Sequence, residues 1–417
     1  MKTGQFAEKY NLTPNGIRYY IEQGLLNPGK RGQQYDFDEE CIRRMEEIQR
    51  LKQMHYSLDE ISRIFHVKEL SQHTLNERAR QDYNQLFQNK ILQLQNEIRG
   101  LEESIRILEN AILPAPAQNM QYGTGIPIGL LPILSCPDCG GEFDFKDTDI
   151  RRGRLSSGKG RCSCGYELEI RDGILICRSS GDFPPMHIEW SDLPNLLSEC
   201  SVDYLNLEAN AYYRLKNLLL DGFADENGQI KGTIITSGGY AGNFICKYHK
   251  LFHPDTTFII ADQSLEVLHF IRDKLGVLND AFEIIYICSP DFDLPLRDAS
   301  VDLFLDDYSS SEFIFYNPKY PLELMRRVLK AKSICTGVFT YYQRSAKSLE
   351  TIQKDYPRAE IPLFCSDTFR RHLISSGVDL VTADEVGSTE NPGGGLAFDY
   401  HCPGDSLSFL LYCGVVK

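Results

Sequence analysis

The 417 residues include 58 acidic and 44 basic side chains, a formal net charge of −14, with 42% hydrophobic and 24% charged residues. That length is too great for one ordinary core and suits two or three domains, and the composition excludes a disordered or collagen-like chain. No apolar run approaches the roughly 18 residues a membrane span needs, and the first ten residues lack the apolar core of a signal peptide, so a cytoplasmic location without a membrane partner is expected.

Thirteen cysteines, an odd number scattered over a large chain, argue for reduced thiols, some of them metal ligands, over a disulfide framework. The acidic balance opposes nucleic-acid binding as a whole, because phosphates require local positive potential. Residues 1–35 are the exception: Lys2, Lys9, Arg18, Lys30 and Arg31 face only Glu8 and Glu22.

In chain order, the pattern predicts a helix over 3–10, a break at Asn11-Leu12-Thr13-Pro14, and a second helix from Pro14 to about Gln23. Thr13 is a good N-cap and Pro14 fits the first helical position. Gly24 then ends that helix, and Asn27-Pro28-Gly29-Lys30-Arg31-Gly32 reads as a turn into a short strand or wing near Tyr35. Asp38 opens a third helix with Ile42, Met45, Ile48 and Leu51 inward, and Ser57 caps a fourth with Leu58, Ile61 and Ile64.

Over 71–113 the apolar residues narrow to Phe87, Ile91, Leu94, Ile98, Leu101, Ile105, Leu108 and Ile112, alternately four and three apart. Such a seam asks for a partner helix, so coiled-coil dimerisation is expected, with an intramolecular hairpin as the alternative. Pro114 stops the helix, and 114–134, rich in Pro and Gly, reads as a linker.

Cys136-x-x-Cys139-Gly140 and Cys162-x-Cys164-Gly165 follow. Two thiolate pairs on glycine turns, separated by a two-stranded insert, suit a tetrahedral zinc site, and the metal then supplies folding energy that a segment this small lacks. The second pair is C-x-C instead of C-x-x-C, so Cys177 stands as a substitute ligand, and reduced cysteines without metal remain the plain alternative.

From about 190 onward, β-rich runs at 232–237, 257–261, 282–287, 301–306 and 333–339 alternate with helical stretches, which predicts a parallel sheet covered by helices. The whole is thus multidomain. A winged helix-turn-helix spans 1–70, a coiled-coil helix 71–113, a linker 114–134 and a zinc-ribbon-like segment 135–180. A doubly wound α/β domain fills 190–417.

Gly4, Ala7, Leu12-Thr13, the run Ile17-Arg18-Tyr19-Tyr20-Ile21-Glu22-Gln23-Gly24-Leu25-Leu26, Tyr35 and the helix at 54–61 together resemble the MerR family of transcriptional regulators. The resemblance implies that the second helix enters the major groove. Arg18 and Tyr19 then contact groove and phosphate, Thr13 lies nearby, and Lys30, Arg31 and Tyr35 grip the backbone. It further implies a homodimer on a pseudo-palindromic double-stranded operator, with RNA polymerase as a further partner. One departure is Asp36, where the family usually has arginine. The alternative is a small helical module that binds protein.

The order of elements over 200–417, with a final strand near Ser408–Cys413, resembles class I S-adenosylmethionine-dependent methyltransferases. That resemblance places the glycine turn at 236–242, with Gly238 and Gly242 approaching the ligand, and Asp262 on the ribose hydroxyls. It places Asp291 near the adenine, ahead of a Leu-Pro turn. Thr236 stands where the family has an acid, and Tyr240 where it has glycine. Tyr240 therefore threatens the backbone's approach to the ligand.

Catalytic residues are not assignable. Asp306-Asp307 read as substrate contacts or, more plainly, as helix caps. His249, His253 and His401 read as surface or satisfied core residues, and the loop 391–401 as a lid or an ordinary connection. The functional expectation is a dimeric MerR-type regulator whose methyltransferase-like domain senses a small-molecule effector such as S-adenosylmethionine or a related nucleoside. The alternatives are an active methyltransferase, since a zinc ribbon ahead of this fold resembles some rRNA guanine methyltransferases, and a constitutive architectural DNA-binding dimer.

Overall fold

The computed structural model describes residues 1–32, 34–73, 77–111, 125–178, 198–238, 240, 242–278, 281–395 and 398–417. Two compact units divide the chain, Met1–Gln118 and Asn119–Lys417.

In the first unit, α1 (Thr3–Lys9) and α2 (Pro14–Glu22) precede a hairpin of β1 (Gly29–Arg31) and β2 (Gln34–Asp36). Then come α3 (Glu39–Gln53), α4 (Leu58–His73) and α5 (Glu77–Ala111). The helix starts follow from side-chain acceptors: Thr13 Oγ1 takes the Gly16 N–H at 3.1 Å and Asp38 Oδ1 the Cys41 N–H at 2.9 Å. Ser57 and Glu60 cap each other's backbone at 3.2 and 2.7 Å, closing a capping box on α4. Gly24, at φ +68, lets the chain turn after α2 so that Leu25 and Leu26 enter the core. That core also holds Phe6, Ile17, Tyr20, Phe37, Ile48 and Ile61, with Phe6 stacked on Phe37 at 4.2 Å.

The long helix differs from expectation at its start, because residues 71–73 complete α4. Residues 74–76 and 112–124, including Ile112 and Pro114 of the predicted seam and linker, lie outside the described residues. The first turns of α5 pack on the module through Tyr83, Leu86 and Phe87. Lys90, only 7% exposed, reaches Glu60 at 3.1 Å. Beyond it the seam is uncovered, with Ile91, Ile98, Leu101, Ile105 and Leu108 each more than half exposed, from 53% to 67%.

The second unit is built on one twelve-stranded sheet. Its central strands are β8 (Thr233–Ser237), β9 (Thr257–Asp262), β10 (Glu283–Cys288), β11 (Val301–Asp307) and β12 (Leu329–Tyr341), all parallel. β13 (Val378–Thr389) and β14 (Leu407–Val416) finish one edge, β14 lying antiparallel between β12 and β13. The resulting order β13-β14-β12-β11-β8-β9-β10 is the strand order of a methyltransferase-like fold. Burial on both faces explains the apolar run Phe258-Ile259-Ile260-Ala261 of β9, while β8 buries Thr236 and Ser237 along with Ile234 and Ile235. Helix α6 (Val202–Phe223) precedes β8, α7 (Asn243–Tyr248) follows it, and α8 (Leu265–Leu275) joins β9 to β10.

The cysteine segment is continuous with this sheet. The two-stranded insert expected between the cysteine pairs is β4 (Phe143–Arg151) with β5 (Arg154–Cys162), and two further strands follow the second pair, β6 (Glu167–Arg171) and β7 (Ile174–Cys177). Two of their turns, Arg152-Gly153 and Asp172-Gly173, put both central residues at positive φ, the twist that tight hairpins require. β7 then pairs in parallel with β10, Ile174 opposite Tyr286. Residues 126–134, expected as linker, are also structured: β3 (Ile126–Pro127) pairs with β5, and Ile126 and Leu134 are buried. Their apolar side chains outweigh the Pro and Gly between them.

Phe37→Ala should lower the stability of the first unit by about 3–5 kcal/mol, the usual result of emptying a buried aromatic site. Urea unfolding followed by circular dichroism checks this.

Candidate functional site

The DNA-facing candidates sit on α2 and the hairpin. Arg18 and Tyr19 are exposed, on the face of α2 opposite buried Ile17 and Tyr20, and Tyr19 keeps 50% of its surface. Thr13 is exposed but its hydroxyl is engaged as the α2 cap. In the hairpin Lys30 lies opposite Tyr35, with its ammonium 5.8 Å from the ring centre, and Arg31 is exposed. Asp36, read from sequence as an acid set against DNA, has its charge engaged locally: it accepts from the Met1 ammonium at 2.9 Å and faces Arg31 at 3.1 Å. Those partners hold its carboxyl below the usual range, the Met1 hydrogen bond first.

Cys136, Cys139, Cys162 and Cys164 converge, with all four sulfurs within 4.8 Å of one another. Gly140, at φ +72, closes the first knuckle, its N–H reaching Cys136 O at 2.8 Å. The shorter C-x-C spacing works because Cys162 ends β5 and Gly165, at φ +97, returns the chain at once into β6. The Cys136–Cys164 and Cys139–Cys162 sulfur pairs are 3.5 and 3.4 Å apart. Zinc–sulfur bonds of about 2.3 Å in a tetrahedron call for roughly 3.8 Å, so the cluster fits zinc with a small expansion.

Gly141 keeps the cradle open, since a Cβ there would sit 3.0 Å from Cys162 Sγ and 3.3 Å from Cys139 Sγ. The Cys164 backbone N–H holds the Cys162 thiol down to about 6, whereas burial pushes Cys136 up to about 12. A dication would draw the remaining protons off. Cys177 is not part of the cluster: it is buried at the end of β7, facing Cys288, Ser289 and Tyr166. Among the described residues no other group of His, Cys, Asp or Glu is placed to hold a metal, and His249, His253 and His401 bond to the fold.

The third candidate lies at the carboxyl ends of β8, β9 and β11. Asp262 ends β9. Its carboxylate accepts the Gly238 N–H at 3.1 Å and the Ser264 N–H at 2.8 Å, and burial pushes its pKa up to about 6. A carboxylate has about four acceptor sites, so capacity for a ribose diol remains. Gly238 takes φ +88 directly after β8. Gly242, at φ +100, begins α7 and packs on Leu275 of α8, where a Cβ would approach to 3.1 Å. Gly238 thus bonds to Asp262, and Gly242 packs on α8. Ser289 N–H bonds to Asp262 O and Gln263 to Pro290 O, at 2.8 and 3.2 Å. These bonds place exposed Asp291 at the same sheet end as Asp262.

Asp306 and Asp307 act as caps. Asp306 accepts from Ser310 N–H and hydroxyl at 2.8 and 2.6 Å and from Tyr412 OH at 2.7 Å; Asp307 accepts from Tyr212 OH at 2.6 Å and Phe244 N–H at 3.2 Å. Burial pushes these carboxyls to about 6 and about 7. The 391–401 loop is the β13–β14 connection, strapped to the chain ahead of α6 by Ser201 N–H on Pro392 O at 2.9 Å and Gly394 N–H on Glu199 O at 3.0 Å. Tyr240 packs on Tyr308 with ring centres 5.4 Å apart.

Sequence reasoning missed three residues here: Glu312, whose carboxylate lies against Gly238, and Glu208 and Tyr212 on α6. Their signals are the Ser309-x-x-Glu312 spacing and the four-residue repeat Tyr204, Glu208, Tyr212, which shares one helical face.

Protein purified without chelator should contain one zinc per chain by elemental analysis, and Cys164→Ser should lower that content at least about tenfold. Zinc-free wild-type protein would remove the metal assignment.

Residues 1–68 match the family described as MerR HTH family regulatory protein. A search of curated proteins finds no match. Among solved structures, geranyl diphosphate C-methyltransferase from Streptomyces coelicolor A3(2), in complex with Mg2+, geranyl diphosphate and S-adenosyl-L-homocysteine, is similar at 13% identity. It covers 56% of this chain and 86% of that one, with a TM-score of 0.38. A SAM-dependent methyltransferase from Aquifex aeolicus is similar at 15% identity over 49% of this chain and 98% of that one, TM-score 0.32. The cyclase SpnF is similar at 13% identity over 58% and 99%, TM-score 0.38. Among the described residues no helix is long and apolar enough to cross a membrane. The chain therefore carries a MerR-family helix-turn-helix domain at residues 1–68, followed by a unit with a methyltransferase-like fold.

Proposed function

We propose that the protein is a homodimeric, MerR-type transcriptional regulator whose methyltransferase-like unit binds an adenosyl ligand and adjusts operator affinity. One observation carries the reading: a family-matched DNA-binding module runs on into a 35-residue helix, α5, whose apolar seam is exposed. Pairing two such helices covers the seam and presents two copies of α2 to one duplex, which calls for a pseudo-palindromic operator. Arg18 and Tyr19 contact the groove and its phosphates, and Lys30, Arg31 and Tyr35 position the wing on the backbone.

The ligand reading rests on Asp262, Gly238 and Asp291, with the Asp262 carboxylate accepting the ribose hydroxyls. Zinc held by the four cysteines would stiffen the ribbon that extends the sheet beyond β10. Four cations of the ribbon, Lys146, Arg151, Arg161 and Arg171, lie against Asp144, Asp149, Glu167 and Glu169. That pairing lowers the ribbon's positive potential and favours sensing over methylation of nucleic acid.

The test is titration of DNA from upstream of the protein's own gene, with and without S-adenosylhomocysteine. Binding should weaken steeply with salt, Arg18→Ala should flatten the salt slope by about one counterion, and the ligand should shift affinity at least about fivefold. No binding at low salt would overturn the regulator reading.

A pH profile tests Asp262 separately. Its folded pKa is raised to about 6, and the ribose contact needs the ionised form. S-adenosylhomocysteine affinity by calorimetry should therefore be level above pH 7 and fall as pH drops through about 6, approaching tenfold per unit below it. Asp262→Asn should weaken binding at pH 7.5 and remove that dependence.

A further inference from the structure

A charged side chain is sealed into the joint where α5 leaves the helix-turn-helix module. Lys90 is 7% exposed, and its ammonium lies 5.0 Å from the centre of the Tyr56 ring, which meets Phe87 edge-on at 5.8 Å. It donates to both carboxylate oxygens of Glu60 at 3.1 Å and to Gln93 Oε1 at 3.2 Å. Glu60 is fixed from the other side, because its Oε2 accepts the Ser57 N–H at the start of α4, at 2.7 Å. The Tyr56 hydroxyl adds a bond of 3.4 Å to Leu86 O. Directed polar contacts therefore tie the beginning of α4 to α5.

Stability does not account for this arrangement. Taking an ammonium out of water is costly, and apolar residues of similar size in place of a buried ion pair are often as stable or more so. Tyr83, Leu86 and Phe87 already pack α5 on the module, but apolar contact is non-directional and lets a helix roll or tilt. A buried charge pair admits one arrangement, since any other leaves a charge without its partner. The lever arm is long. From Lys90 to Ala111 α5 runs about 32 Å at about 1.5 Å per residue, so a tilt of about 10° at Lys90 displaces the far end by about 5 Å. That exceeds the rise of one base pair, about 3.4 Å.

We propose that the Lys90–Glu60 pair determines operator spacing: it fixes the angle between α5 and the module, and so the separation of the two copies of α2 in a dimer. This rests on the reading of the protein as a homodimer on a pseudo-palindrome. Both are positioning residues, and Lys90, sealed within the joint, acts through α2 and not on the duplex itself. With the pair in place one separation of half-sites fits; with an apolar joint, neighbouring separations fit almost as well.

The full chain carrying Glu60→Gln with Lys90→Met tests this. Glutamine keeps the capping box with Ser57, and methionine keeps an unbranched stem. The probe is DNA from upstream of the protein's own gene, as it stands and with one base pair added to or removed from the centre of the protected sequence. Each change moves the half-sites by about 3.4 Å and turns them by about 35°. The unaltered protein should bind the altered spacings at least about tenfold more weakly than the natural one, and the double variant within about threefold, with urea stability little changed. Lys90→Met alone, which leaves a Glu60 that is 35% exposed, should relax the preference in the same direction. Three results would overturn the proposal and leave the regulator reading intact: an unaltered protein indifferent to spacing, variants as stringent as the unaltered protein, or variants weakened on all three duplexes alike. No binding of the unaltered protein to any duplex would overturn both.

Discussion

An apolar stripe cannot stay in water along a helix of 35 residues, and that constraint organises the account. At 1.5 Å per residue α5 extends about 52 Å. Only its first turns are covered, where Tyr83, Leu86, Phe87 and Lys90 meet the module core and Glu60. The remainder presents Ile91, Ile98, Leu101, Ile105 and Leu108 at four-three spacing. A helix packed on a globular core needs a wider stripe, whereas this narrow seam suits a second helix of the same kind. In the reading proposed here, pairing also supplies the geometry of DNA binding. One module offers only Arg18, Tyr19 and a short wing, too few contacts for specific binding, and two modules on one rigid rod double them at fixed spacing.

The second unit rests on a different constraint, the termination of its strands. Parallel strands end with their carboxyl ends on one side, and the chain there must satisfy backbone groups while leaving a crevice. Asp306 and Asp307 do so by capping the turns that begin α7 and the short helix after β11, which is why both are buried and engaged. Asp262 bonds Gly238 and Ser264 and retains acceptor capacity. Asp306 and Asp307 are 0% and 1% exposed and Asp262 is half-buried, so in the reading proposed here the three neighbouring acids divide between building the site and serving it.

Much of this was legible locally. Thr13 with Pro14, Asp38, and Ser57 with Glu60 are side-chain caps whose chemistry needs no distant partner, so the helix starts fall where the sequence puts them. The four cysteines were readable because knuckle glycines at 140 and 165 carry their own turn geometry. Long-range pairing was not legible. The union of β7 with β10 joins residues more than a hundred positions apart, and neither strand encodes its neighbour. β13 escaped notice because it is an edge strand with two register shifts and Asp379, Asp384 and Glu385 on it, features that protect an edge and blur the alternation. Glu312 was hidden for the same reason as β7: it stands more than seventy residues from Gly238 and meets it only through the β8–β11 pairing.

Sedimentation equilibrium of the full chain at low micromolar concentration tests the central claim most directly, beside a variant carrying Leu101→Glu and Ile105→Glu. The account predicts a particle of two chains for the unaltered protein and of one chain for the variant, with circular dichroism of the remaining fold preserved. An unaltered protein that sediments as a single chain, or a variant that stays paired, would contradict it.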